Sequence, residues 1–437
     1  MIVPACARSN RARAILSRTM SKKQTGHGYA ADLLNLFAPG QGVPPPRLAG
    51  REQELQALRG LLRRLLAGQP PSRDAVLYGP RGNGKTVLLG AFETECRAAG
   101  TVVLALNASQ VKTVDALARQ LLQSNAVSPG KEAANPLAGQ IQPAGRAVQR
   151  EFPTMAVGTA SAGVPGIGAV TWEQMSREQL DANLERLVTD RCRHKPLVVT
   201  LDEAHTLELE AGHRLLNLSQ QLRKNGAPFL LALAGTPDLR EHLNAIRATF
   251  WNRAEKLSIG RLSRESTAEA LVVPLAERNI QFDKNALAAV VEDSQQYPYF
   301  IQLWGEALCH AMVESRSYHV DTAAIEAARP RFETSKSDYY GDRYWELRKQ
   351  DLLEVADTVA GVFEGREAIR FAHLSDYLVA RMGVETQAAD AKLNQLAKLG
   401  YIWQPGSTQV CEPGIPSLMA HVKAELAVDR YTVAPDV

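Results

Sequence analysis

Residues 74–89 read DAVLYGPRGNGKTVLL. After Asp74 the stretch opens with four apolar residues, short enough for a strand, and a helical pattern follows over 85–98. Between them Gly79, Pro80, Arg81, Gly82, Asn83, Gly84, Lys85 and Thr86 fit G-x-x-x-x-G-K-[ST]. Each residue type has a physical reason. The glycines let the chain curl, so that backbone N–H groups converge on phosphate oxygens. A helix beginning near Gly84 points the positive end of its dipole at the same anion. Lys85 adds a full charge toward the β- and γ-phosphates, and the Thr86 hydroxyl suits a Mg²⁺ ion. The expected ligands are therefore ATP and Mg²⁺.

Outward from this loop, apolar runs alternate with helical patterns. Residues 51–67 repeat Leu at helical spacing. Residues 101–107, 196–202 and 229–235 read as strands, with helices expected over 111–123 and 206–224. Strands that are apolar throughout and separated by helices predict an α/β fold, a parallel sheet sandwiched by helices. Residues 30–47 contain Gly and the run Pro44 to Pro46, and read as an extended lead-in. Residues 125–172 interrupt the pattern as an insertion rich in Pro, Gly, Ala and Ser, with a hairpin expected around 163–166. From about 264 the chain is helical. After 346 comes a smaller unit. It holds helices over 372–382 and 386–398, YIWQP and TQVCEP as a hairpin, and a last helix near 416–427.

The bulk composition is that of a globular protein, with 45% apolar and 22% charged residues. The net charge of +3 does not by itself imply nucleic acid. Its distribution is uneven: residues 1–50 carry +6, and residues 351–437 carry −5. Cys6, Cys96, Cys192, Cys309 and Cys411 are odd in number and scattered, without a C-x-x-C pair. That fits free thiols in a reducing, cytoplasmic setting, not a disulfide framework or a zinc site. No apolar run approaches the ~18 residues of a membrane span. The Arg-rich first 19 residues read either as a transit peptide or as a translated extension upstream of Met20.

The third strand ends in LDEAH, residues 201–205. With a phosphate loop upstream, Asp202 is the expected metal-side carboxylate. Glu203 then faces the attacking water as general base. His205 reads as a supporting or surface residue. The fourth strand ends in LAGTPDL, where Thr236 either contacts the γ-phosphate or caps the helix after Pro237. Arg253, between a helix and a short strand, is either a finger completing a neighbouring subunit's site or a surface arginine. Arg247 and Arg261 are lesser candidates.

Together LAGREQEL (48–55), the phosphate loop, LDEAH, GTPDL and QQYPYFIQLWG resemble an AAA+ ATPase of the initiator-like, STAND-adjacent group, over roughly 47–330. The resemblance implies that Ala49, Gly50 and Arg51 lie near the adenine and that Pro298 approaches the nucleotide from a helical lid. The lid stretch keeps the proline of a G-x-P element but not its glycine, and it carries no arginine. Four parts follow: a basic, largely disordered arm (1–47), an ATPase core (48–262), a helical lid (263–345) and a winged-helix-like unit (346–437). The implied activity is slow ATP hydrolysis in a nucleotide-controlled switch, oligomeric and tied to a DNA-related process. The alternative is a STAND-type signalling or defence switch whose terminal unit docks a protein. The letters D-E-A-H also name a helicase class, but those enzymes resemble two tandem RecA-like sheets and only one sheet can be counted here.

Overall fold

The computed structural model describes residues 26–40, 42–123, 176–247, 249–405 and 409–433. The start of the basic arm, the insertion with its expected hairpin and the tip of the C-terminal hairpin lie outside these residues.

The chain opens with α1 (Gly26–Leu34) and α2 (Glu52–Leu66). A run of β1 (Ala75–Tyr78), α3 (Lys85–Ala98), β2 (Val102–Asn107) and α4 (Val114–Gln123) follows. Next come α5 (Arg177–His194), β3 (Leu197–Asp202), α6 (Leu209–Lys224), β4 (Phe229–Gly235), α7 (Leu239–Ile246), α8 (Phe250–Arg253) and β5 (Glu255–Ser258). The five strands form one parallel sheet in the order β2-β3-β4-β1-β5. Every residue of β1 and β4 is buried, which is why both read as unbroken apolar runs. One apolar cluster covers each face. Leu58, Leu62, Leu88 and Phe92 lie on one side, and Leu184, Leu201, Leu215 and Leu231 on the other. Helix α5 was not anticipated. Its buried Leu180, Leu184, Val188 and Cys192 recur every four residues, and Ser176 with Gln179 forms a capping box at its start.

The helical part comprises α9 (Arg264–Ala276), β6 (Gln281–Phe282), α10 (Lys284–Asp293), α11 (Pro298–Ser315), β7 (His319–Val320) and α12 (Thr322–Lys349). The boundary expected at 345/346 falls inside α12. That helix carries Phe332, Tyr340, Tyr344 and Leu347 into one core that also holds Leu33 and Phe37, Leu271 and, in the C-terminal unit, Leu396 and Val422. The C-terminal unit contains α13 (Leu353–Phe363), β8 (Ile369–Arg370), α14 (Phe371–Met382), α15 (Thr386–Lys398), β9 (Ile402–Trp403), β10 (Val410–Pro413) and α16 (Leu418–Val433). The expected hairpin pairs Glu412 with Trp403, and β8 adds a third antiparallel strand to it.

The arm expected over 1–47 is ordered structure from residue 26. Leu33 and Phe37 are buried, and the Phe37 ring lies where a Cβ on Gly305 of α11 would collide with it. The Tyr29 hydroxyl donates to the Arg278 carbonyl at 2.7 Å, and Arg278 pairs with Asp32 at 2.7 Å. The apolar residues of ADLLNLF find a groove on the helical unit, which the neighbouring Gly and Pro residues had obscured.

Candidate nucleotide site

Because the sheet is parallel, Tyr78, Asn107, Asp202 and Gly235 all end at one edge. Crevices at that edge are where open α/β sheets hold ligands. The phosphate loop leaves β1 there. Gly82 and Gly84 take φ of +79° and +86°, a region glycine enters without a steric penalty. A Cβ on Gly82 would also strike the Tyr297 hydroxyl.

The loop is held from three directions. Arg51, buried at the start of α2, donates to the carbonyls of Asn83 at 3.0 Å and Gly260 at 2.6 Å. Its guanidinium therefore ties the loop to the end of β5, beyond any part in binding adenine. The Asn83 amide donates to the Ile259 carbonyl at 3.3 Å. Tyr297, just before α11, donates to the Arg81 carbonyl and meets the Tyr339 hydroxyl at 3.0 Å.

Lys85 is buried, and its ammonium donates to the carbonyls of Gly79 at 2.8 Å and Pro80 at 2.9 Å. Burial pushes its pKa down to about 8, against the pull of Glu203 and Asp202. The Thr86 hydroxyl donates to Asp202 Oδ2 at 2.6 Å, while Asp202 Oδ1 accepts the Glu203 N–H at 2.9 Å. A hydroxyl and a carboxylate oxygen, adjacent and at the mouth of a phosphate loop, are the hard donors that suit Mg²⁺ sharing a nucleotide's phosphates.

Loop, lead-in and helical unit together enclose a cavity of ≈ 320 Å³. Arg81 to Thr86 and Glu203 line one side; Leu48, Ala49 and Arg51 line a second; Pro298, Tyr299, Gln302, Tyr339 and Arg343 line a third. Pro298 lines this cavity. Arg343 was missed. It comes from α12, 45 residues beyond Pro298, and no motif around it marks it as a cavity residue. Its guanidinium lies over the Tyr339 ring at 5.2 Å and pairs with Glu346.

Two other expected residues do not line this cavity. Thr236 is fully buried, and its hydroxyl donates to Asp238. Arg253 is exposed beside Arg73 and Arg223, at the edge of the sheet where β5 and β1 begin. The loop of the same chain lies beyond the far end of β1, roughly 13 Å of strand away. Of the lesser candidates, Arg247 donates to Asn217, and Arg261 donates to the Pro413 carbonyl at 3.0 Å. His205 is buried, with Nε2 3.4 Å from Glu203 Oε2, so it is neither a surface residue nor remote from the site.

The family model described as the AAA ATPase domain matches residues 47–246. No curated protein matches the sequence. Among solved structures, the Walker-type ATPase PABY2304 of Pyrococcus abyssi superposes with a TM-score of 0.55 at 15% identity, over 90% of this chain and 99% of that one. Cdc6p from Pyrobaculum aerophilum gives 0.46 at 16% identity, over 89% and 97%. Orc1 from Aeropyrum pernix, solved in complex with DNA, gives 0.44 at 17% identity, over 92% and 97%. At such identities the likeness is one of fold. Residues 47–246 thus match an AAA ATPase domain, and the chain shares its fold with a Walker-type ATPase.

Proposed function

We propose that this protein binds ATP with Mg²⁺, hydrolyses it slowly, and uses the nucleotide state as a switch in a DNA-related process. The observation that carries the reading is that Lys85, Thr86 and Glu203 line one cavity, with Asp202 hydrogen-bonded to Thr86 and to the Glu203 N–H. Thr86 and Asp202 would hold the ion, which would supply positive charge against the phosphates. Lys85 exchanges two carbonyl partners for phosphate oxygens. Glu203 lines the cavity and takes the proton of the water that attacks the γ-phosphorus. Within the Gly79 to Gly84 loop the N–H groups from Arg81 onward supply the cradle, and Pro298 closes it from the lid side.

Arg253 acts in this reading on the site of a neighbouring copy, since it is exposed and faces away from its own loop. Homo-oligomerisation follows from that assignment. Thr236, whose hydroxyl is turned to Asp238, supports the γ-phosphate only if it rotates away. The C-terminal order helix, strand, helix, helix, strand, strand is that of a winged helix, the unit through which DNA would be engaged. A specific contact favours the second reading, a STAND-type switch that docks a protein. Lys398, at the end of α15, lies 3.7 Å from Asp238 of the ATPase domain and not on a free basic face. Among the described residues four buried free cysteines agree with a reducing cytoplasmic setting, and no helix is long and apolar enough to cross a membrane.

ATP turnover that rises with added duplex DNA at low salt supports the DNA role, and turnover indifferent to DNA removes it. Lys85→Ala should abolish ATP binding. Glu203→Gln should keep binding and lose turnover by about a hundredfold or more. Normal hydrolysis by Glu203→Gln would show that another group is the base. Mixing inactive Lys85→Ala and Arg253→Ala proteins should restore activity if sites are shared between copies.

A further inference from the structure

The turn after β3 has a feature that ATP binding alone does not require. Glu203 takes a left-handed φ of +53°, and a 3₁₀ turn over Ala204–Thr206 follows at once. Thr206 closes it by donating its N–H at 2.8 Å and its hydroxyl at 2.9 Å to the Glu203 carbonyl. The turn folds His205 inward, so that a polar ring is buried between the ends of β3 and β4.

Both ring nitrogens are occupied. Nδ1 accepts the backbone N–H of Thr236 at 3.4 Å, and Nε2 stands 3.4 Å from Glu203 Oε2. A ring nitrogen that accepts from an N–H carries no proton of its own. In the neutral ring the proton is therefore on Nε2, the nitrogen nearer the Glu203 carboxylate. Burial favours that neutral form, against Asp238 and Glu203, which pull toward the charged one. The seat is close-fitting, because a Cβ on Gly235 would come within 3.2 Å of Nδ1. Glu203 by contrast is a long, half-exposed side chain that lines the cavity. Without a partner it would lose its orientation among several rotamers.

We infer that His205 is the positioning residue of this site: its Nε2–H holds the Glu203 carboxylate toward the cavity, and the Thr236 N–H fixes the tautomer that does so. The inference rests on Glu203 being the base. The arrangement ties the carboxylate on β3 to the first residue after β4, so a shift of the β4 turn is felt at Glu203.

The test compares wild type, His205→Ala, His205→Gln, Glu203→Gln and the double variant. It reads steady-state ATP turnover with radiolabelled ATP, binding of a fluorescent ATP analogue, and melting temperature. His205→Ala should lower kcat by about tenfold or more, as loss of an orienting partner does, with the analogue's Kd unchanged. His205→Gln, which can still donate to Glu203, should recover part of the rate. The double variant should be no slower than Glu203→Gln, because groups that act as one unit are not additive. A double variant slower than Glu203→Gln by the full His205→Ala factor overturns the inference while leaving the base intact. Weakened binding with kcat unchanged in both His205 variants also overturns it. Wild-type turnover by Glu203→Gln alone removes the base, and the inference with it.

Discussion

Asp74 precedes β1 and is 2% exposed. Arg223 pairs with it at 2.6 Å, the Ser219 hydroxyl donates to it at 2.8 Å, and the Leu231 N–H at 3.3 Å. Removing one member of such a buried set leaves the others desolvated without a partner. Asp74→Ala is expected to lower stability by about 3 kcal/mol, read from urea unfolding, with ATP affinity of the folded fraction unchanged because the group lies at the far edge of the sheet. The same scale shows which site residues could be read in advance. Lys85, Thr86, Asp202 and Glu203 were legible because their chemistry depends on near neighbours in the chain. Arg343 and Tyr297 were not, and for His205 the choice between a supporting and a surface residue stayed open. Each acquires its place from a partner on another element: the cavity wall, the Arg81 carbonyl and the Thr236 N–H. Thr236 illustrates the reverse. Its position at a strand end was legible, but Asp238, two residues on, takes its hydroxyl.

Among the elements, α1 and α5 escaped the sequence reading for different reasons. Helix α5 has a strong local signal in its four-residue apolar spacing and capping box, but it follows the long insertion and was passed over with it. Helix α1 has a weak signal, being short and followed by glycines and prolines. It is held by contact, with Leu33 and Phe37 seated against α11. Phe37→Ala should cost about 3 kcal/mol. Hydrogen exchange should then rise across residues 26–37 more than in the sheet; equal protection there would show that α1 is held by its ion pair with Arg278 instead. The inner strands β1 and β4 could be read because a strand covered on both faces must be apolar along its whole length.

At the scale of the molecule, the C-terminal unit packs against the ATPase domain. Trp403 of β9 is 5% exposed within the apolar cluster on one face of the sheet, its ring 5.8 Å from Tyr78 and tilted to it. Lys398 meets Asp238 at 3.7 Å, the Arg261 guanidinium donates to the Pro413 carbonyl at 3.0 Å, and Gln295 donates to the Ser417 hydroxyl at 2.6 Å. Magnitudes rank these contacts. An exposed ion pair contributes under about 1 kcal/mol, whereas truncating a buried Trp costs about 3 kcal/mol or more. Trp403→Ala should therefore release the unit, seen as faster limited proteolysis and a larger radius in small-angle scattering, while Lys398→Ala should change neither. A compact Trp403→Ala protein would mean that the shared core around α12 suffices to hold the two parts together.

The loop, the strand that feeds it and the acidic end of β3 could be read from the chain itself, because each is specified by contiguous residues. A phosphate cradle needs glycines and a lysine at fixed spacing, and a central strand needs unbroken apolar character. What closes over that loop was decided only by the tertiary structure. Arg51 reaches the Gly260 carbonyl across 209 residues, Tyr297 reaches the Arg81 carbonyl across 216, and Trp403 enters a cluster whose other members lie between Val76 and Ala254. Such contacts are set by how helices and strands pack, and one residue's neighbours in sequence carry no record of them.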